Sequence, residues 1–281
     1  MEFVKLAGPA GVFFIMFALG LNLSIKHFLK VFRDFKNLLI GIICQIIILP
    51  FIGLILISLM DNLVPEFQFG VFLLLIMPSA AMSNFATKLV DGNTPLSITL
   101  TSFCALLSFI TIPLYLNFFS KYVYYDVFEL NLFIFSFKTF LFITVPVFLG
   151  IFIRRKFPRI IEENIFTLDR IAFALFLFIV FIAIYLEKNN LVNYFNDIGF
   201  VVICLLISII LTITIIVNIF VKDISSRRAI LIEGMLQNGA MGFVIGSLIY
   251  DEAIYLIPIA IYALLQYCAL LFYIANIKAK N

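Results

Sequence analysis

Apolar residues run through this chain in long blocks, and polar residues are confined to the gaps between them. Nine blocks stand out, near residues 7–24, 37–60, 68–89, 95–118, 131–153, 167–187, 194–221, 228–249 and 252–277. A helix needs roughly 20 residues to cross roughly 30 Å of hydrocarbon, and the blocks match that length. Strands are far shorter, so length alone favours helix over sheet. The pattern predicts an all-α polytopic membrane protein with nine transmembrane helices, forming one domain over residues 1–281. No cleavage site follows the first block, which is therefore kept as a span.

The charged residues test this division independently. Lys26, Lys30, Arg33, Lys36, Lys88, Arg154, Arg155, Lys156, Arg159, Arg170, Lys222, Arg227, Arg228, Lys278 and Lys280 all fall in alternate connections. The other connections carry Asp61, Glu66, Asp126, Glu129, Glu187, Asp197, Asp251 and Glu252. The positive-inside rule places the basic side in the cytoplasm, the N-terminus outside and the C-terminus inside, in a bacterial-type plasma membrane. Such an arrangement requires an odd number of spans, which nine satisfies.

Composition removes the competing classes. Of the 281 residues, 64% are hydrophobic and only 12% charged, and mean hydropathy is +1.18. Soluble domains average about 45–50% and about 25%, so lipid must be the solvent for much of this surface. The net charge of +3 reflects loop residues that set orientation, and no nucleic-acid-binding face is expected. Cys44, Cys104, Cys204 and Cys268 are widely separated inside apolar blocks and read as small packing residues. The single histidine, His27, lies in a basic loop, too little to hold a catalytic zinc. No GxSxG or paired-aspartate run is present either, and no enzyme activity is expected.

Two blocks are interrupted. The third contains Pro78-Ser79-Ala80-Ala81-Met82-Ser83-Asn84, and the eighth contains Glu233-Gly234-Met235-Leu236-Gln237-Asn238-Gly239. They enter the membrane from opposite sides. Pro, Gly and small polar residues breaking apolar helices at matching places point to an inverted repeat with a midmembrane site. The first repeat covers about 1–120 with four spans, and the second about 130–281 with five.

Glu233 is the acidic residue that cannot be placed in a loop or at a span end. Charged and in lipid, it needs a cation or several hydrogen bonds. Gln237 follows four residues later on the same helix face, and unwinding near Gly234 and Gly239 would free main-chain carbonyls. Gln45 in the second block, Ser83 and Asn84 at the first break, and Ser97 and Thr101 in the fourth block supply further oxygens. Neutral oxygens around one carboxylate suit a monovalent cation such as Na⁺, whereas Ca²⁺ recruits more carboxylates.

At these positions the chain resembles the bile acid:sodium symporter family. The resemblance is carried by Phe17-Ala18-Leu19-Gly20-Leu21-Asn22-Leu23-Ser24, Gln45 with Pro50, Ser83-Asn84, Gly92-Asn93, Leu96-Ser97, Thr101, and Glu233 with Gln237-Asn238. It implies two crossing discontinuous helices, interleaved panel and core subdomains, and two sodium sites. One sodium would use Ser83, Asn84, Ser97, Thr101 and Glu233; the second would use Gln45, Glu233 and Gln237 with carbonyls around Gly234 and Leu236. The chain lacks the extra first span of ten-helix bacterial members. Ala81 stands where many members have a substrate-contacting hydroxyl.

The leading expectation is a secondary transporter that couples Na⁺ entry to import of an organic anion by alternating access. The anion would be bile-acid-like, a steroid sulfate or a small carboxylate, with Asn84 and Asn238 as its polar contacts. A proton-coupled carrier, or an efflux carrier for organic acids or metalloid, is the alternative, and a channel or membrane scaffold a remoter one.

Overall fold

The computed structural model describes residues 2–22, 35–60, 63–80, 82–122, 132–186, 191–250 and 252–279. Ala81, Ser24 and His27 lie outside the described residues, as do most of the residues joining the first two spans. Among the described residues the regular secondary structure is helical apart from one isolated β-bridge. The helices are α1 (Glu2–Asn22), α2 (Phe35–Ile43), α3 (Leu49–Ser58), α4 (Pro65–Leu75), α5 (Met82–Leu89) and α6 (Thr94–Tyr122). They continue with α7 (Leu132–Thr139), α8 (Val145–Lys156), α9 (Pro158–Leu186), α10 (Leu191–Phe220), α11 (Ile224–Met235), α12 (Gly239–Ser247) and α13 (Ile257–Lys278). Among the described residues, five continuous helical stretches are long and apolar enough to cross a membrane: 35–58, 94–121, 136–156, 194–220 and 253–278.

The expected blocks recur as helices or helix pairs, with one notable extension. Block six was expected from residue 167, but the helix begins at Pro158, so Arg159 and Arg170, both counted with the basic connection, lie on α9. Large apolar side chains on the outside, including Phe152 at 62% exposure and Phe272 at 72%, fit a lipid-facing surface. This is an integral membrane protein.

Two helix pairs are joined by π turns, Cys44–Ile48 and Phe140–Thr144. Each is followed closely by a proline, Pro50 or Pro146. A proline has no N–H, so the carbonyl four residues earlier loses its helical donor and the ladder must adjust. For Pro50 that carbonyl belongs to Ile46, and the Tyr115 hydroxyl donates to it instead. The widened turn contains Gln45.

α1 packs along α8 and α9. The contact is tight because glycines face backbone: Gly20 lies against the Val147 carbonyl, and Gly150 against the α1 backbone from Phe17 to Leu21. Small residues permit such close approach between membrane helices. A Cβ on Gly150 would lie 2.7 Å from Gly20 C and Leu21 N, atoms that cannot swing aside. Gly150→Ala should therefore cost about 1–3 kcal/mol by overpacking. The check is the melting temperature of the detergent-purified protein; an unchanged value would show that α1 and α8 can separate freely.

Local chemistry fixes where the second-half helix begins. Asp223 caps α11, accepting from the backbone N–H groups and hydroxyls of Ser225 and Ser226. Those bonds, led by the two hydroxyls, hold its carboxyl down at about 2. The α5–α6 turn docks beside this cap. Asp91 takes a left-handed conformation at φ 52°, and Gly92 N–H returns to the Thr87 carbonyl at 2.8 Å, closing α5 with a Schellman turn. Asn93 then caps α6 through Leu96 N–H while donating to Ser226 Oγ at 3.0 Å. Arg228 Nη1 reaches the Val90 carbonyl at 2.6 Å. Through these bonds the Gly92-Asn93 pair ties the end of α5 to the start of α11.

Candidate functional site

The two expected interruptions are real breaks, and they cross. α4 stops at Leu75 and α5 starts at Met82; α11 stops at Met235 and α12 starts at Gly239. The extended residues between them pair as an antiparallel bridge, Ser79 with Gln237. Ala80 N–H donates to Leu236 O at 2.8 Å, and Asn238 N–H to Pro78 O at 2.9 Å. Each break thus satisfies backbone groups that the other leaves open, which is how irregular backbone is tolerated at membrane depth. The unwinding falls on Leu236-Gln237-Asn238, while Gly234 stays helical and Gly239 opens α12. Ser83 and Asn84 lie just past their break, in the first turn of α5.

Glu233 lies under this crossing, 4% exposed, and its carboxylate collects hydroxyls from three elements. Ser79 from the break and Thr101 from α6 donate to Oε2, the latter at 2.7 Å; Ser83 from α5 and Ser97 from α6 donate to Oε1. Asn84 Oδ1 joins the cluster, 3.0 Å from the Ser97 hydroxyl and 3.3 Å from the Thr101 hydroxyl, as an alternative acceptor to the carboxylate for the one proton of each. Thr87 donates to Ser97 Oγ at 3.2 Å. Every residue expected for the first sodium is therefore in one contiguous group. Hydroxyls donate or accept as required, so turning their protons outward presents lone pairs to a cation beside the carboxylate.

The second expected set is brought together in part. Gln45 Nε2 donates both to Met77 O and to Gln237 Oε1, each at 2.9 Å, while Gln237 Nε2 donates to Gly234 O at 2.7 Å. The Gln45 NH₂ group thus sits between two oxygens as a small cation would. Gln45 Oε1 is buried without a hydrogen-bond partner. The hydrogen bonds of Glu233 run instead to the four hydroxyls, and Leu236 O is engaged by the crossing.

Three contributors escaped the sequence reading. Ser79 was legible, being polar, at the break and four residues before Ser83. Gln266 of α13 is fully buried, and its Oε1 accepts from Gln237 N–H at 2.9 Å. A lone amide in an apolar span is the signal that identified Gln45, and it applied equally here. Met77 acts through its carbonyl, for which a side-chain reading has no signal.

Beside the crossing lies a cavity of about 470 Å³. Buried Gln237, Asn238 and Gly239 and half-buried Ala80 line it together with exposed residues including Phe85, Lys88 and Arg170. Both expected substrate contacts are present. Asn238 Oδ1 is used to cap α12 through Met241 N–H at 3.1 Å, and Asn84 Oδ1 belongs to the hydroxyl cluster. What these two side chains retain for a solute is their amide N–H donors. On the opposite side of the crossing, aromatic rings fill the space: Phe72 stacks on Phe119 at 4.5 Å, and Tyr250 on Tyr255 at 3.6 Å.

Residues 9–194 match the description of the Sodium Bile acid symporter family. The chain belongs to that family. Relatives match over shorter stretches. The uncharacterized sodium-dependent transporter YocS of Bacillus subtilis (strain 168) is 35% identical over 107 residues, 38% of this chain and 33% of that protein. The rice protein named "Probable sodium/metabolite cotransporter BASS5, chloroplastic" (Oryza sativa subsp. indica) is 37% identical over 93 residues, 32% of this chain and 23% of its own. The ileal sodium/bile acid cotransporter of Homo sapiens is 32% identical over 107 residues, 38% of this chain and 30% of its own. The matched segment thus spans a third or less of each relative's length. As a family member, this chain has its Glu233 cluster partly outside the family match, which ends at residue 194.

Proposed function

We propose that this protein is a sodium-coupled symporter that imports an organic anion by alternating access. The observation that carries the proposal is the joining of two features at one crossing: an oxygen cluster around Glu233, and a cavity into which the same elements present donors. Asn84 belongs to both. The family relatives named as sodium-dependent transporter and bile acid cotransporter support the coupling ion and the substrate class.

In this reading the chain has nine spans, two of them the broken pairs α4–α5 and α11–α12, related as an inverted repeat. α1, α7, α8 and α9 form a panel, and the remaining helices form the core that carries the crossing. The N-terminus is outside and the C-terminus cytoplasmic, in the plasma membrane. The cavity then faces the cytoplasm, because exposed Lys88 and Arg170 line it, and the aromatic packing closes the outer side. One sodium is held by Ser83, Asn84, Ser97, Thr101 and Glu233, with Ser79 as an added hydroxyl. The second is held where the Gln45 NH₂ now sits, once the amide turns its oxygen inward. Gln237, the Gly234 carbonyl and Met77 O complete that site, with Glu233 supplying charge from the neighbouring cluster.

The substrate is an anion because the charged groups lining the cavity are cations. Asn84 and Asn238 offer amide N–H groups, Lys88 and Arg170 offer cations, and no acidic side chain lines it among the described residues. The test is the melting temperature of the purified protein in NaCl against choline chloride. Sodium at about a hundred times its Kd stabilises the folded state by about 2.7 kcal/mol per site. Equal melting in the two salts would remove sodium from the mechanism, and stabilisation that followed pH instead would favour proton coupling.

A further inference from the structure

α8 ends in Arg154-Arg155-Lys156, and Arg159 follows in the first turn of α9. These four cations have different surroundings. Arg154 is half-buried: its Nη1 donates to the Leu21 carbonyl of α1 at 2.7 Å, and its Nη2 lies 3.8 Å from Glu162. Arg155, Lys156 and Arg159 are exposed, and among the described residues none of them makes an ion pair or donates a hydrogen bond. Arg227 and Arg228 differ from them, donating to Val221 O and Asn218 Oδ1 and to Val90 O respectively. The positive-inside bias accounts for basic residues at this end of the helices. It does not account for three that stand together without a protein partner.

The surface leading to them is apolar. Phe148, Phe152 and Arg155 follow one another at helical spacing on α8, and all three are exposed. One face of the helix therefore runs from two outward phenylalanines to a guanidinium at its end. Lys156 Nζ lies 5.5 Å from the centre of the Phe157 ring, at the junction with α9. Successive Cα atoms are about 3.8 Å apart, so Lys156 and Arg159 are separated by at most about 11 Å, within joint reach of two long side chains. We infer that this corner binds an anionic phospholipid, its phosphate held by Arg155, Lys156 and Arg159 and an acyl chain lying along Phe152 and Phe148. A guanidinium grips phosphate through parallel N–H donors, while the ammonium acts as a point charge. Basic clusters directly following a membrane helix are suited to anionic headgroups. Of the two acidic residues that come next in α9, Glu162 is matched by Arg154, leaving Glu163 to oppose three cations. Arg154 ties the same corner to α1, whose backbone lies against Gly150, so the bound lipid fastens α1, α8 and α9 to the bilayer surface. These helices belong to the proposed panel, and the lipid fixes its depth while the core moves.

The experiment places the full-length protein in nanodiscs of phosphatidylcholine, with and without phosphatidylglycerol. Retained lipid is counted by native mass spectrometry, and the melting temperature is recorded beside it. Phosphatidylglycerol should raise the melting temperature and be retained in preference to phosphatidylcholine as a discrete adduct. Arg155→Gln and Arg159→Gln should each weaken that retention about fivefold, the effect of one basic residue at an anionic surface. Glu163→Gln should strengthen it. Lys278→Gln, which removes a cation from the last turn of α13, should leave it unchanged. Inorganic phosphate added to the phosphatidylcholine sample should not reproduce the stabilisation; if it does, the corner binds a soluble anion and the lipid inference is overturned. The inference also fails if the unaltered protein shows no preference for phosphatidylglycerol, or if both Gln variants at Arg155 and Arg159 retain it fully. A loss in Lys278→Gln as large as that in Arg155→Gln would reduce the effect to diffuse surface charge and overturn the site.

Discussion

Glu233→Gln should abolish sodium-dependent stabilisation while leaving the protein inserted and folded. The carboxylate is the one buried negative charge at the crossing among the described residues, and both proposed ions draw on it. Glutamine keeps the shape but removes the charge. It also places an NH₂ donor among four hydroxyls that were donating to oxygen, so some must turn away. The sign in choline differs. Without a cation, the wild-type site buries a charge compensated only by hydrogen bonds, which is costly in a low-dielectric interior. The variant should therefore melt at or above the wild type in choline, and below it in NaCl. By comparison, Ser97→Ala or Thr101→Ala removes one neutral ligand and should lower apparent Na⁺ affinity by about tenfold, or about 1.4 kcal/mol. The measurement is melting temperature across a NaCl series at constant ionic strength. A Glu233→Gln variant that keeps the wild-type response would make Glu233 a structural hydrogen-bonding group.

The helical blocks were readable from sequence because lipid imposes one rule on every residue of a span. The hydrophobic pattern placed α6, α10 and α13 within a few residues. Breaks were readable for the same reason: Ser79, Asn84, Gln237 and Asn238 are too polar for plain lipid-facing helix. The pairing of the breaks was not. Matching places in the two halves do not say which residues meet; the bridge joins Ser79 to Gln237. Among the described residues the first break runs from Ile76 to Ala80 and the second only from Leu236 to Asn238, so the two differ in length. The first ion set was legible as a group because it consists of side chains. The second set leans on carbonyls and on Gln266, and main-chain oxygens have no letter in a sequence. The start of α9 was not legible because the polar residues from Arg159 to Asn164 interrupt the hydrophobic pattern but not the helix.

The largest effect on coupling is expected at Asn84. Its Oδ1 competes with Glu233 for the single hydroxyl protons of Ser97 and Thr101, which lie within reach of both, and the same residue lines the cavity. Sodium that organises the hydroxyls also fixes the Asn84 amide, and with it the N–H groups offered to substrate. Substrate affinity should then rise with Na⁺, and Na⁺ affinity must rise with substrate by the same factor. Typical couplings of about 1–3 kcal/mol correspond to roughly 5–150-fold. Asn84→Ala should bring that factor close to one, as well as weakening each ligand alone. Asn238→Ser separates the two contributions. Serine keeps an oxygen for the α12 cap but has no amide N–H, so substrate affinity should fall while the factor by which Na⁺ raises it is preserved. The measurement is estrone sulfate binding at several Na⁺ concentrations for the wild type and both variants. If Asn84→Ala keeps the wild-type factor, the link between ions and substrate runs through the Ser79–Gln237 crossing instead. If the wild type shows no factor at all, sodium can act only on the conformational step, by permitting the loaded carrier to change sides.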